Sequence, residues 1–156
     1  IPTTSAPSSF HSYSKLLLTI LSLTSWLSPE IEENLEPKLS WLQERLELDC
    51  KSLCSVIQRM PLLLGLSIED NLEPLIEFYE DCVGSNAAIE MIAKNPRVLN
   101  SSLENRLKPR LAQVQEAGIP LDTGTISRMA KYTDERWSMS LAYQKTKLLK
   151  QQLKDR

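Results

Sequence analysis

IQRMPLLLGLSIEDNLEP (residues 57–74) and IAKNPRVLNSSLENRLKP (residues 92–109) are one pattern written twice, 35 residues apart. Seven of the 18 positions are identical: Ile57/Ile92, Pro61/Pro96, Leu64/Leu99, Ser67/Ser102, Glu69/Glu104, Leu72/Leu107 and Pro74/Pro109. Composition alone would give about one or two. A third copy lies upstream, where residues 20–37 align with 57–74 at a shift of 37 and Asn34-Leu35-Glu36-Pro37 returns whole as Asn71-Leu72-Glu73-Pro74. A fixed period of this length is the mark of stacked structural repeats.

Each copy has a physical reading. Pro37, Pro74 and Pro109 suit the first helical position, where a missing N–H costs nothing, and Glu36, Glu73 and Lys108 before them are expected outside the α region. A helix is therefore expected to start at each proline. From Pro74, the residues Leu75, Ile76, Phe78 and Tyr79 outline a short amphipathic helix ending at Gly84. Ser85 is expected to cap a second helix with Ala88, Ile89, Met91 and Ile92 inward, and Asn95-Pro96 to stop it. Ser102 then caps one tight turn, with Leu99, Leu103 and Leu107 inward. Beyond Pro109 the pattern degenerates: Gly118 ends a helix, Thr123 or Thr125 caps another through Ile126 and Met129, and residues 137–153 are amphipathic. Upstream, Leu16, Leu17, Ile20 and Leu23 supply the second helix of a partial unit.

The expected fold is all-α: an α-solenoid of about 35-residue helix-helix-short-turn repeats, because one such unit cannot bury its apolar face alone. A Ser-rich segment at 1–15 is expected to precede a repeat domain at 16–156. The composition agrees, with 27 leucines against 14 isoleucines and valines together and only 4 glycines in 156 residues. The chain opens on Ile1 rather than Met, which reads as a fragment or processed form carrying an incomplete array. Its longest apolar run, Leu16 to Leu23, falls well short of the roughly 20 residues that a bilayer helix needs.

Charge is segregated. The formal net charge is −2, but residues 1–93 carry 5 basic and 14 acidic groups whereas residues 94–156 carry 13 basic and 6 acidic. A one-ended basic segment is the usual footprint of contact with a polyanion. Catalytic constellations are missing from the pattern. The single histidine, His11, excludes most histidine-dependent triads, and Gly65, Gly84, Gly118 and Gly124 make no phosphate loop. Cys50 and Cys54 lie one helical turn apart, but no second pair completes four metal ligands. Glu69, Asp70, Glu73 and Glu77 fall at helix starts, where the helix dipole favours negative charge. No cofactor and no metal is expected, and the chain is not read as an enzyme.

Met60-Pro61-Leu62-Leu63-Leu64, Asn95-Pro96-Arg97-Val98-Leu99 and above all Ser102-Leu103-Glu104-Asn105-Arg106-Leu107-Lys108-Pro109-Arg110 resemble the signature of the mitochondrial transcription termination factor (mTERF) family. The resemblance extends roughly from Leu16 to Lys131. It implies a superhelix of three-element modules that binds double-stranded nucleic acid along a concave basic surface, and a role in organellar gene expression in mitochondria or chloroplasts rather than catalysis. It also leaves open RNA processing or ribosome assembly, since some members act there.

The candidate contacts with nucleic acid are basic. Lys94, Arg97, Arg106, Lys108 and Arg110 cluster at one repeat junction, and Arg128, Lys131 and Arg136 recur about one unit later. Stacked repeats would align them into a stripe along double-stranded DNA, holding phosphates without reading sequence. Two other readings stand beside this one: a single-stranded RNA reader of similar period, and a helical-repeat adaptor whose acidic front, Glu30 to Glu36 and Glu69 to Asp81, takes a basic protein partner. Trp26, Trp41 and Trp137 are read as core residues rather than base-stacking platforms.

Overall fold

A computed structural model describes residues 35–156, and every element among them is helical. The elements are α1 (Leu35–Arg45), α2 (Cys50–Arg59), a 3₁₀ turn (Pro61–Gly65), a π turn (Ile68–Leu72), α3 (Glu73–Val83), α4 (Ser85–Lys94), a second 3₁₀ turn (Pro96–Asn100), a second π turn (Leu103–Leu107), α5 (Lys108–Glu116), α6 (Thr123–Lys131) and α7 (Asp134–Lys154). The partial unit upstream, Trp26 and His11 lie outside the described residues. The chain divides into two compact units, one ending at Ile68 and one running from Glu69 to Arg156.

The two copies that opened the sequence fold alike. α2 ends on Met60 at φ −145°, ψ 76°, and α4 ends on Asn95 at φ −145°, ψ 77°. The 3₁₀ turns that follow close on Leu66 at φ −81°, ψ 140° and Ser101 at φ −95°, ψ 144°. Leu72 and Leu107 then enter the next helix at φ −72°, ψ −52° and φ −71°, ψ −49°. The shared period is thus a period of backbone conformation. Its apolar marks are the core: Leu64, Leu72, Leu99 and Leu107 are all buried.

The expectation of a break before each proline is corrected. Lys108, immediately before Pro109, is fully helical at φ −60°, ψ −46°. The turn leading into it is widened: Leu107 N–H donates to Ser102 O at 3.1 Å, and Lys108 N–H donates to Leu103 O. Both bonds span five residues instead of four. The wider pitch moves the preceding carbonyls away from the proline ring, which removes the clash that normally ends a helix there. Each proline-marked helix therefore begins before its proline, and the expected tight turn is a wide one, although Ser102 does cap it, its Oγ accepting from Asn105 N–H at 3.2 Å.

Two other caps differ from expectation. Ser85 does not cap α4. Gly84 does so without a side chain, at φ 88°, a conformation that only glycine adopts freely, and the Ser85 hydroxyl turns back to Glu80 Oε1 at 3.0 Å. α6 is capped by Asp122 rather than by either threonine: Asp122 Oδ1 accepts from Thr125 N–H at 2.6 Å. Gly118 closes its turn at φ 66°, as its position suggested.

The first unit packs α1 on α2 through Leu39, Leu42, Leu46, Leu53, Val56 and Ile57, all buried. Lys38 reaches across this unit and donates from Nζ to Leu64 O at 2.8 Å and Leu66 O at 2.6 Å. In the second unit, Tyr79 is buried under the 3₁₀ turn and donates to Val98 O at 2.6 Å. Burial pushes its phenol far above the usual range. Among the described residues no helix is long and apolar enough to cross a membrane.

Candidate nucleic-acid interface

All eight candidate cations belong to the second unit, and their surroundings sort them. Arg110 is inside, only 4% exposed. Its Nη1 donates to Met129 O at 2.7 Å and Tyr132 O at 2.8 Å, and its Nη2 to Asp134 Oδ1 at 2.6 Å. The guanidinium also lies over Trp137, 5.3 Å from the ring centre, while the indole N–H donates to Gln113 Oε1 at 2.7 Å. Arg110 is thereby withdrawn from the interface expected of it. The cation terminates α6, where freed carbonyls and the negative end of the helix dipole favour positive charge.

Arg106 is half-buried and donates to Ala130 O at 3.4 Å. The same carbonyl accepts from Ser101 Oγ at 2.8 Å. Three side chains from the preceding repeat thus close the end of α6. Arg128 is also half-buried. It donates from Nη2 to Thr125 Oγ1 at 3.0 Å.

Five cations stand exposed: Lys94, Arg97, Lys108, Lys131 and Arg136. Lys94 pairs with Glu90 at 2.6 Å and Lys108 with Glu104, each one turn apart on open surface. The hydrogen bond from Lys94 holds the Glu90 carboxyl below its ordinary pKa. Solvent screens such exposed pairs, so they do not remove the cations from service. Arg136 lies over the Tyr132 ring, 4.4 Å from its centre.

One pair is brought together. Lys94 from α4 and Lys131 from α6 line the same shallow groove, about 220 Å³, over the small residues Ala87, Gly124 and Ser127. Both lysines sit in the last turns of their helices, and small residues between them leave the groove open. Two ammonium groups across such a groove can hold an anionic oxygen between them. Arg128 does not join them. Three residues before Lys131 on α6, it faces a separate groove of about 540 Å³ against α7, with Tyr132, Tyr143, Gln144, Lys147 and Gln151. The expected stripe thus falls into two grooves, with Lys94 and Lys131 lining one and Arg128 the other. Lys147 and Tyr143 were missed from the sequence; the signal was their place on a helix whose basic residues outnumber its acidic ones.

The cysteines carry no comparable site. Cys50, Cys54 and Cys82 are free and half-buried, and burial pushes the Cys54 and Cys82 thiols up. Among the described residues no three His, Cys, Asp or Glu side chains converge as a metal would require.

The mTERF family model matches residues 83–138. That span runs from the end of α3 into α7 and takes in all eight candidate cations. The match supports membership of that family, whose members are generally organellar and associated with nucleic acid. No curated protein and no solved structure gives a match.

Proposed function

We propose, with membership of the mTERF family as the premise, that this chain is an organellar factor that binds double-stranded DNA and regulates transcription there, termination among the steps open to it. The binding groups are Lys94, Arg97 and Lys131, joined by Lys108 and Arg136. One observation carries the reading: Lys94 and Lys131 come from successive repeats and face each other across a single groove. Backbone phosphates fit such a groove, and contacts of this kind place a duplex without reading its bases.

Lys94→Glu combined with Lys131→Glu tests the proposal. Both side chains are exposed, so far-ultraviolet circular dichroism should remain native while retention on duplex DNA in a gel shift is lost. Retention equal to that of the native chain would remove the groove from the interface. Competition among duplex DNA, duplex RNA and single strands decides the nucleic acid; preference for either RNA form would replace transcription with an RNA-directed role.

A further inference from the structure

α7 has one face that nothing in its unit uses. Its inner side packs: Trp137 is buried, and Leu141 and Leu148 are half-buried. At about 100° per residue, Met139, Thr146, Leu149 and Leu153 fall together on the opposite side, with Tyr143 at its edge. Met139 is 75% exposed, Tyr143 70%, Leu149 61% and Leu153 72%. These are four of the five large apolar side chains most open to solvent among the described residues. A shallow hollow of about 490 Å³ runs along the helix between Tyr143, Thr146, Lys150 and Lys154.

We propose that this outer face of α7 docks a helical segment of an acidic protein. Charge chooses the occupant. From Lys145 onward the chain carries Lys145, Lys147, Lys150, Lys154 and Arg156 against Asp155 alone, so the apolar row is flanked by cations and its complement is a helix with leucine-like residues flanked by carboxylates. Helix-on-helix recognition reads anchors at i, i+4 and their multiples, the spacing of Met139/Tyr143 and Leu149/Leu153. Duplex nucleic acid would satisfy the lysines and leave the aliphatic row wet, since its interfaces are polar, whereas Met and Tyr are enriched in interfaces between proteins. A lipid surface favours an unbroken apolar face, and here Thr146 and Lys150 interrupt it. A second copy of the chain would oppose two basic segments of the same sign.

The test uses the full chain and a fluorescent amphipathic peptide with leucines on one helical face and glutamates on its flanks. The same peptide with lysines replacing the glutamates is the control. Anisotropy should show binding of the acidic peptide only. Leu149→Ser with Leu153→Ser should weaken it at least about tenfold, as removal of two interface anchors does, with helicity and duplex DNA retention unchanged. Lys147→Glu with Lys150→Glu should weaken it as well, most at low salt. Failure of the acidic peptide to bind, equal binding of both peptides, or native affinity in the serine variant would overturn the proposal. So would sedimentation of the chain with phosphatidylglycerol vesicles that the serine variant abolishes, or a dimer in light scattering that it dissolves.

Discussion

Asp122 shows how much one side chain decides. Its carboxylate accepts the Thr125 N–H, and that bond holds its pKa below the ordinary value against a smaller opposing effect of burial. A carboxyl whose pKa is depressed on folding adds stability that is present above its unfolded pKa, about 3.9, and is lost as pH falls through the folded value. Asp122→Ala should therefore cost about 1 kcal/mol at neutral pH, and the gap between variant and native chain should close in acid. Asp122→Asn should keep most of the cap and show no such pH dependence. Urea midpoints measured between neutral pH and about pH 3 check both. The sequence pointed too late, at Thr123 or Thr125, because Asp122, Thr123 and Thr125 are all cap formers within four residues; the ionised side chain makes the stronger bond. Glu47 is the converse case. It holds φ 49° just past α1, where Leu48 N–H donates back to Gln43 O at 3.0 Å, a glycine position filled by a residue with a Cβ. Glu47→Gly should stabilise the first unit by about 0.5–1 kcal/mol, read as a higher melting temperature.

At the scale of elements, the repeat was legible because period, proline and leucine positions are all local features of the chain. What was not legible is how the repeat treats its own proline: a pre-proline residue is read as extended by default, and only a π turn, invisible to periodicity, lets Lys108 stay helical. Arg110 was illegible for a different reason. By charge alone it belongs to the basic cluster, yet it occupies the slot after the proline that Lys38 and Leu75 hold in the earlier copies, and Leu75 is buried. An arginine standing where a repeat keeps leucine is interior, and Lys38 already shows the solution, donating to two carbonyls across its own unit. Desolvation lowers the Lys38 pKa, as expected for an ammonium drawn into such a place. Arg110→Ala should leave the Met129 and Tyr132 carbonyls unpaired and cost about 3 kcal/mol. Arg110→Lys should cost less than half as much, because an ammonium serves this slot in the first copy. Denaturant unfolding of the two variants ranks them, and equal losses would show that the fork of Arg110, rather than its charge, closes α6.

At the scale of the whole molecule the separated charges act on one partner in opposite directions. Each phosphate that a cation neutralises contributes a slope of about −0.9 in log affinity against log salt, so replacing Lys94, Arg97 and Lys131 together by glutamine should flatten the slope by about 2.7 if all three touch the backbone. The acidic groups exposed in the same unit work against them. They repel a duplex over the Debye length, about 30 Å in 0.01 M salt and about 10 Å in 0.1 M, so dilution of the buffer strengthens both the attraction and the repulsion. The native slope should then be shallower than the number of neutralised phosphates alone implies. Glu77 and Asp81 are exposed on α3, in the same unit as the lysine groove. Glu77→Gln with Asp81→Asn should raise duplex affinity a few-fold at about 0.02 M salt, change it little at about 0.5 M, and so steepen the slope while the set of cations on the backbone stays the same. A slope unchanged by this pair, beside one flattened by the lysine and arginine replacements, would mean that the duplex senses only the groups it touches.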